Sequence, residues 1–176
     1  MNFNTRLKAS LLFAITILGL SALNSFAQDG IKFSEISDAT QETADLYINY
    51  YFSKEFDMMS EYMHDDFSFQ DPTAALIFGG KLQTPKDTAL NFFKTNYASI
   101  LEMKPAYIRK IYSGEQAVYE MNLLWSFNTE KGKISIDMPL VTILSLKDGK
   151  VINHRDYGDY TEYVKQFNDQ MDKFNK

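Results

Sequence analysis

The chain contains no cysteine, and that absence removes several possibilities at once. Without thiols there are no disulfides, no lipid-bearing cysteine behind a signal sequence, and no thiolate ligands for zinc. The two histidines, His64 and His154, stand in no metal-ligand spacing, so no metal site is expected. Basic residues are outnumbered by acidic ones, 18 against 23, and Lys104, Arg109 and Lys110 form no stripe, which argues against nucleic acid as a partner. Neither a phosphate-binding glycine loop nor a nucleophile elbow is present, and no cofactor is expected. No internal repeat or low-complexity segment occurs. The apolar stretch Leu11 to Leu20 is about half of the roughly 20 residues that a membrane span requires.

That stretch follows Arg6 and Lys8 and precedes Ser25-Phe26-Ala27, small residues at the spacing a signal peptidase accepts. Residues 1–27 therefore read as a signal peptide, residues 28–39 as an N-terminal tail and residues 40–176 as the folded domain. The expected location is periplasmic or secreted, with no stable membrane insertion after cleavage. Cleavage leaves 149 residues, enough for one domain with a sizeable core, and 16 Lys and Arg against 23 Asp and Glu, a net charge of −7. Packing alone must stabilise such a chain, and an aromatic content of 15% supplies the bulk for it and for lining a pocket.

Ala44, Tyr47, Ile48, Tyr51 and Phe52 recur at helical spacing, with Asp38 or Thr40 as candidate N-caps. A short second helix over about Glu55 to Met63 places Phe56, Met59 and Met63 together. Asp66 to Asp71 alternates and stops at Pro72, as a short strand would. Thr84-Pro85-Lys86-Asp87 opens a third helix with Leu90, Phe93, Tyr97 and Leu101 as its stripe. After Pro105, three punctuations at Ser113-Gly114-Glu115, Thr129 to Gly132 and Asp148-Gly149 divide the chain into four strands of a meander. The order is α+β. Trp125, alternating with Leu123 and Phe127, reads as a sheet-packing residue.

Asp148-Gly149 predicts a two-residue primed turn with Lys147 facing Lys150. That register sets Val141, Ile143 and Ser145 across from Asp156, His154 and Ile152, and leaves Leu140, Thr142, Leu144 and Leu146 with Tyr157, Arg155, Asn153 and Val151. Both faces are then apolar. Helices cover only one of them, so a homodimer through the back face is expected.

The stretch from Tyr47 to His64-Asp65-Asp66-Phe67-Ser68-Phe69-Gln70-Asp71-Pro72 resembles the ketosteroid isomerase pattern of a helical tyrosine, an acidic turn and a strand ending in Asp-Pro. The resemblance implies that Tyr47 would donate a hydrogen bond to a developing oxyanion and Asp71 would shuttle a proton at carbon. That family's second carboxylic acid would fall near Val141 or Thr142, where this chain has none. His154-Arg155-Asp156-Tyr157-Gly158-Asp159-Tyr160 resembles the Arg-Asp-Tyr-x-Asp ending of limonene epoxide hydrolases and SnoaL-like proteins, which implies proton transfer by Asp156. Asn122 and Leu124 stand where those hydrolases carry an Arg and an Asp.

Together the two resemblances imply a cone-shaped nuclear-transport-factor-2-like or SnoaL-like fold, a curved antiparallel sheet with three helices enclosing a pocket. The expected ligand is a small apolar or amphipathic molecule. The expected activity is cofactor-free acid–base chemistry of the isomerase, cyclase, dehydratase or hydrolase type, or binding alone, with Asp71, Asp156, Tyr47 and His154 as the site residues. From the residues themselves, a carboxylate facing an apolar cone tends to become a more effective general base, and a phenol opposite donates without losing its proton.

Overall fold

The computed structural model describes residues 31–175, apart from the side chain of Leu76. The signal-peptide reading of residues 1–27 lies outside them. The described residues fall into two compact units: residues 31–36, helical and largely exposed, and residues 37–175, which contain the sheet and the helices packed on it. Helical backbone is already present at residue 31, so neither Asp38 nor Thr40 begins the helix; both lie within it.

Helix α1, residues 37–53 of the larger unit, buries the predicted stripe of Ala44, Tyr47, Ile48, Tyr51 and Phe52. It ends where Lys54 takes a positive φ of 61°. Helix α2 (Phe56–Ser60) buries Phe56 and Met59, and the chain turns directly into strand β1 (Met63–Gln70). A short helix α3 (Ala75–Phe78), not anticipated from the sequence, precedes Gly79-Gly80. Both glycines have positive φ. At Gly80 a Cβ would lie 2.8 Å from the Asp71 carbonyl oxygen and from the Ala75 Cα, so only glycine fits this close return of the chain. Backbone hydrogen bonds in both directions between Phe69 and Gln83 close the loop.

Helix α4 (Lys86–Asn96) buries Ala89 and Phe93, and Tyr97 follows as its C-cap. Leu101, expected in its stripe, instead belongs to β2 and is exposed. The meander then runs β2 (Ile100–Ser113), β3 (Gln116–Thr129), β4 (Gly132–Lys147) and β5 (Lys150–Gly158), with turns at the three expected places. Helix α5 (Tyr160–Phe174) begins at Asp159, whose side chain accepts the Glu162 N–H at 3.0 Å. The sheet order is β1-β5-β4-β3-β2; the four meander strands are antiparallel and β1 joins β5 in parallel. Alternate β4 residues from Ile134 to Leu146 face the core. One cluster packs beneath α1, and a second packs Ile134, Ile136 and Met138 against Tyr160 and Tyr163 of α5.

The β4–β5 turn has the predicted geometry, with φ of 51° at Asp148 and 72° at Gly149, and Lys147 pairs with Lys150. The predicted register holds for only one further pair, Leu146 with Val151. A bulge at Ile152 then shifts the pairing by one residue, so that Asn153 meets Ser145, His154 meets Leu144 and Asp156 meets Thr142. Because side chains alternate, this slip reverses the faces. His154 and Asp156 join Leu144 and Thr142 in the core, while Arg155 and Tyr157 go to the back with Ile143 and Val141. The back face also carries Val118 and Leu124, half-buried, and Ile111, exposed.

Candidate functional site

A cavity of about 540 Å³ opens between the end of β1, the α3 loop, the end of α4, β3 and α5. Phe69, Phe78, Phe92, Trp125, Phe127 and Tyr163 line it with rings, and polar groups come from Asp71, Tyr97 and Tyr160 and from Lys81, Gln83, Asn96 and Ser99. Its rings come from β1, α3, α4, β3 and α5, so no short stretch of sequence encodes it. Trp125 lies edge-on to Tyr163, with ring centroids 6.0 Å apart, and it lines the cavity as well as packing on the sheet.

Asp71 follows the last residue of β1 and is 8% exposed. Its Oδ1 accepts the Thr73 hydroxyl at 2.6 Å and the Ala74 N–H at 2.9 Å. These bonds make Asp71 the turn residue that starts α3, a common use of aspartate before proline. Its Oδ2 accepts the Tyr160 hydroxyl at 2.5 Å. Thr73 in turn accepts the Gly158 N–H at 2.9 Å, which ties the turn to the end of β5. Burial, reinforced by the charge of Asp71, pushes the Tyr160 phenol far above its ordinary range, so it remains a donor at neutral pH.

Tyr47, His154 and Asp156 meet one another, but none of the three lines the cavity. The Tyr47 hydroxyl lies 2.9 Å from His154 Nδ1, and His154 Nε2 lies 2.9 Å from Asp156 Oδ1. Thr142, placed opposite Asp156 by the bulged register, donates to the same oxygen at 2.5 Å. Tyr51 donates to Asp156 Oδ2 at 3.2 Å, and its hydroxyl lies 3.0 Å from that of Tyr97. The imidazole is 0% exposed, and the ring of Phe69 stands edge-on to it, 5.0 Å between centroids, on the cavity side. With Asp156 as a carboxylate, an acceptor only, the tautomer that satisfies every atom is neutral His154 with its proton on Nε2 and the Tyr47 hydroxyl donating to Nδ1. Burial raises the Tyr47, Tyr51 and Tyr97 phenols, and the charge of Asp156 adds to this in all three.

The structure thus joins three of the four sequence-predicted residues in one buried network and sets Asp71 apart on the cavity wall. Tyr97 connects the two regions: it lines the cavity and reaches Asp156 through Tyr51. Tyr51 and Tyr97 were visible in the sequence only as members of helical stripes. Tyr160 ends the C-terminal motif without a local signal that distinguishes it. Nothing local marks Thr142, because its partner is set by the bulge. His64 accepts the Asp66 N–H at 3.0 Å within the same strand and takes no part in the site.

No protein-family model and no curated protein sequence matches the chain. Solved structures do. A candidate SnoaL-like polyketide cyclase from Shewanella denitrificans superposes with a TM-score of 0.66 at 20% identity, over 74% of this chain and 97% of its own. An LEH-like epoxide hydrolase from M. tuberculosis gives 0.60 at 12% identity, over 73% and 89%. TerC, crystallised with polyporic acid, gives 0.60 at 16% identity, over 73% and 97%. Identities this low speak to the fold rather than the reaction. The chain has the nuclear-transport-factor-2-like fold, in the form shared by SnoaL-like cyclases, ketosteroid-isomerase-like proteins and LEH-like epoxide hydrolases.

Proposed function

We propose that the domain binds a small, largely apolar molecule in the aromatic cavity and exchanges a proton with it through Asp71, without a cofactor. The observation that carries this reading is the cavity itself. Its volume of about 540 Å³ lies in the range of small-molecule sites, its wall is rich in aromatic rings, and Asp71 is the carboxylate among the lining residues. A carboxylate offers about four lone-pair sites and three are occupied, so Asp71 keeps one acceptor position for a ligand. Tyr47, His154 and Asp156 act from behind the wall, through Tyr51 and Tyr97. Fold neighbours that include an epoxide hydrolase and a protein crystallised with polyporic acid are in keeping with small-molecule chemistry.

Binding without turnover is the second reading, favoured by the turn-capping hydrogen bonds that already engage Asp71. Mass spectrometry of molecules carried through purification supplies the ligand, and Asp71→Asn then separates the readings. Turnover that falls at least about 100-fold with affinity kept within a few-fold identifies a proton-transfer group. Absence of turnover in the unaltered protein with every retained ligand assigns the cavity to binding alone.

Export and self-association belong to the same proposal. Residues 1–27 direct export to the periplasm or beyond, which the size of the chain before and after secretion tests. The back face, with Ile111, Val118, Val141, Ile143 and Tyr157, joins a second copy, and Ile143→Lys is expected to leave a monomer by light scattering.

A further inference from the structure

The direction of the phenol protons at the inner wall of the cavity follows from hydrogen-bond partners. Each phenol carries one proton, and burial keeps those of Tyr51, Tyr97 and Tyr160 on oxygen at neutral pH. Tyr160 gives its proton to Asp71. Tyr51 gives its proton to Asp156, so the bond between the two hydroxyls of Tyr51 and Tyr97 must use the proton of Tyr97. Asp71, as a carboxylate, has none to give. The other donors of the lining stand on exposed or half-buried side chains at the rim: the Lys81 ammonium, the Ser99 hydroxyl, and the amides of Gln83 and Asn96, each of which gives one of its two N–H groups to the carbonyl of Lys81 or Phe92. The indole N–H of Trp125 is covered by protein, out of a ligand's reach. The inner wall therefore has lone pairs on Asp71, Tyr97 and Tyr160, with their donors turned inward.

Resting on the small-molecule reading of the cavity, we propose that this site selects hydrogen-bond donors: its ligand is a small aromatic or alicyclic molecule bearing a hydroxyl or N–H group, accepted by Tyr97 Oη beside Asp71. At the inner wall, a ligand whose only polar atom is a carbonyl or ether oxygen would meet oxygen with oxygen and be desolvated without a partner. This polarity is opposite to that of an oxyanion-binding site, in which a phenol donates to the ligand. Tyr51 is a positioning residue here. It never touches the ligand, but it holds the Tyr97 proton and so determines which way Tyr97 faces chemically.

The test uses the purified protein with naphthol, its methyl ether and naphthaldehyde, read by titration calorimetry. Quenching of Trp125, the sole tryptophan, reports that the cavity is the site filled. Naphthol is expected to bind at least about tenfold more tightly than either of the others. Tyr97→Phe should narrow that preference by weakening naphthol binding, with Asp71 left as the remaining acceptor, while the affinities of the ether and the aldehyde stay within a few-fold. Tyr51→Phe, which frees the Tyr97 proton for the cavity, should move the preference toward naphthaldehyde, a change that mere loosening of the core would not produce. Equal affinities in the unaltered protein, or tighter binding of the aldehyde or ether, overturn the donor-selecting proposal while leaving the cavity as a binding site. Failure of all three to bind overturns the cavity reading itself, and the donor selectivity with it.

Discussion

Asp71 and Asp156 are both carboxylates at the edge of the same core, and each accepts three hydrogen bonds, but the bonds come from different distances along the chain. Two of the three donors to Asp71 lie within three residues of it, at Thr73 and Ala74. Those to Asp156 are side chains only: Thr142 across the hairpin, His154 two residues before it on β5, and Tyr51 from α1. Asp71 therefore belongs to a turn that forms locally and meets the cavity. Asp156 exists as a satisfied group only when helix and sheet have closed on it. A carboxylate of the first kind can face a ligand at modest cost to the fold, whereas one of the second kind is part of what holds the core in one arrangement.

The largest test of that contrast is Asp156→Ala, which strands buried donors on Tyr51, Thr142 and His154. It is expected to lower the unfolding free energy by about 3–5 kcal/mol in urea titrations. A loss under about 1 kcal/mol would mean that the network is not a structural unit. High pH challenges the same region without mutation. The Tyr47, Tyr51 and Tyr97 phenols are raised in the folded protein, chiefly by burial. Above the unfolded value of about 10 the unfolded chain releases protons that the folded one keeps. Stability should thus be full below that pH and fall as pH rises through and beyond it, by about 1.4 kcal/mol per unit for each phenol held protonated. Denaturation midpoints measured on either side of pH 10 check the sign. A flat profile would place these hydroxyls in contact with water. The smallest expected effect belongs to Asp71→Asn. Asparagine keeps one acceptor for the turn but sets an amide against a donor, costing about 1–2 kcal/mol, with the main consequence read in ligand turnover. A stability loss as large as that of Asp156→Ala would erase the distinction between the two sites.

Much of the fold was legible because its signals are local. The stripe on α1 needs only helical periodicity. Positive φ at Asp148 and Gly149 is what a primed turn asks of its residues, and Pro72 comes just after β1 ends. The α3 turn carries no such signal, because its first hydrogen bonds use the side chain of Asp71 rather than a periodic pattern. The resemblance pointed to Tyr47, Asp71, His154 and Asp156 without indicating which of them share a network. Tyr97, Tyr160 and Trp125 carry no motif that distinguishes them from packing residues, and only their convergence gives them a place on the cavity wall.

By itself, then, the sequence determined most of the elements, their order and the three hairpin turns, since each depends on neighbours a few positions away, and resemblance named candidate residues for acid–base chemistry. Tertiary structure alone decided which of those residues meet. The Ile152 bulge shows why: the turn sets the first two pairs of the hairpin, but one extra residue reverses the faces beyond it. Nothing adjacent to Ile152 demands that insertion. The face it selects buries His154 and Asp156 where Tyr47, Tyr51 and Thr142 can satisfy them, and those partners are scattered over some hundred positions of the chain.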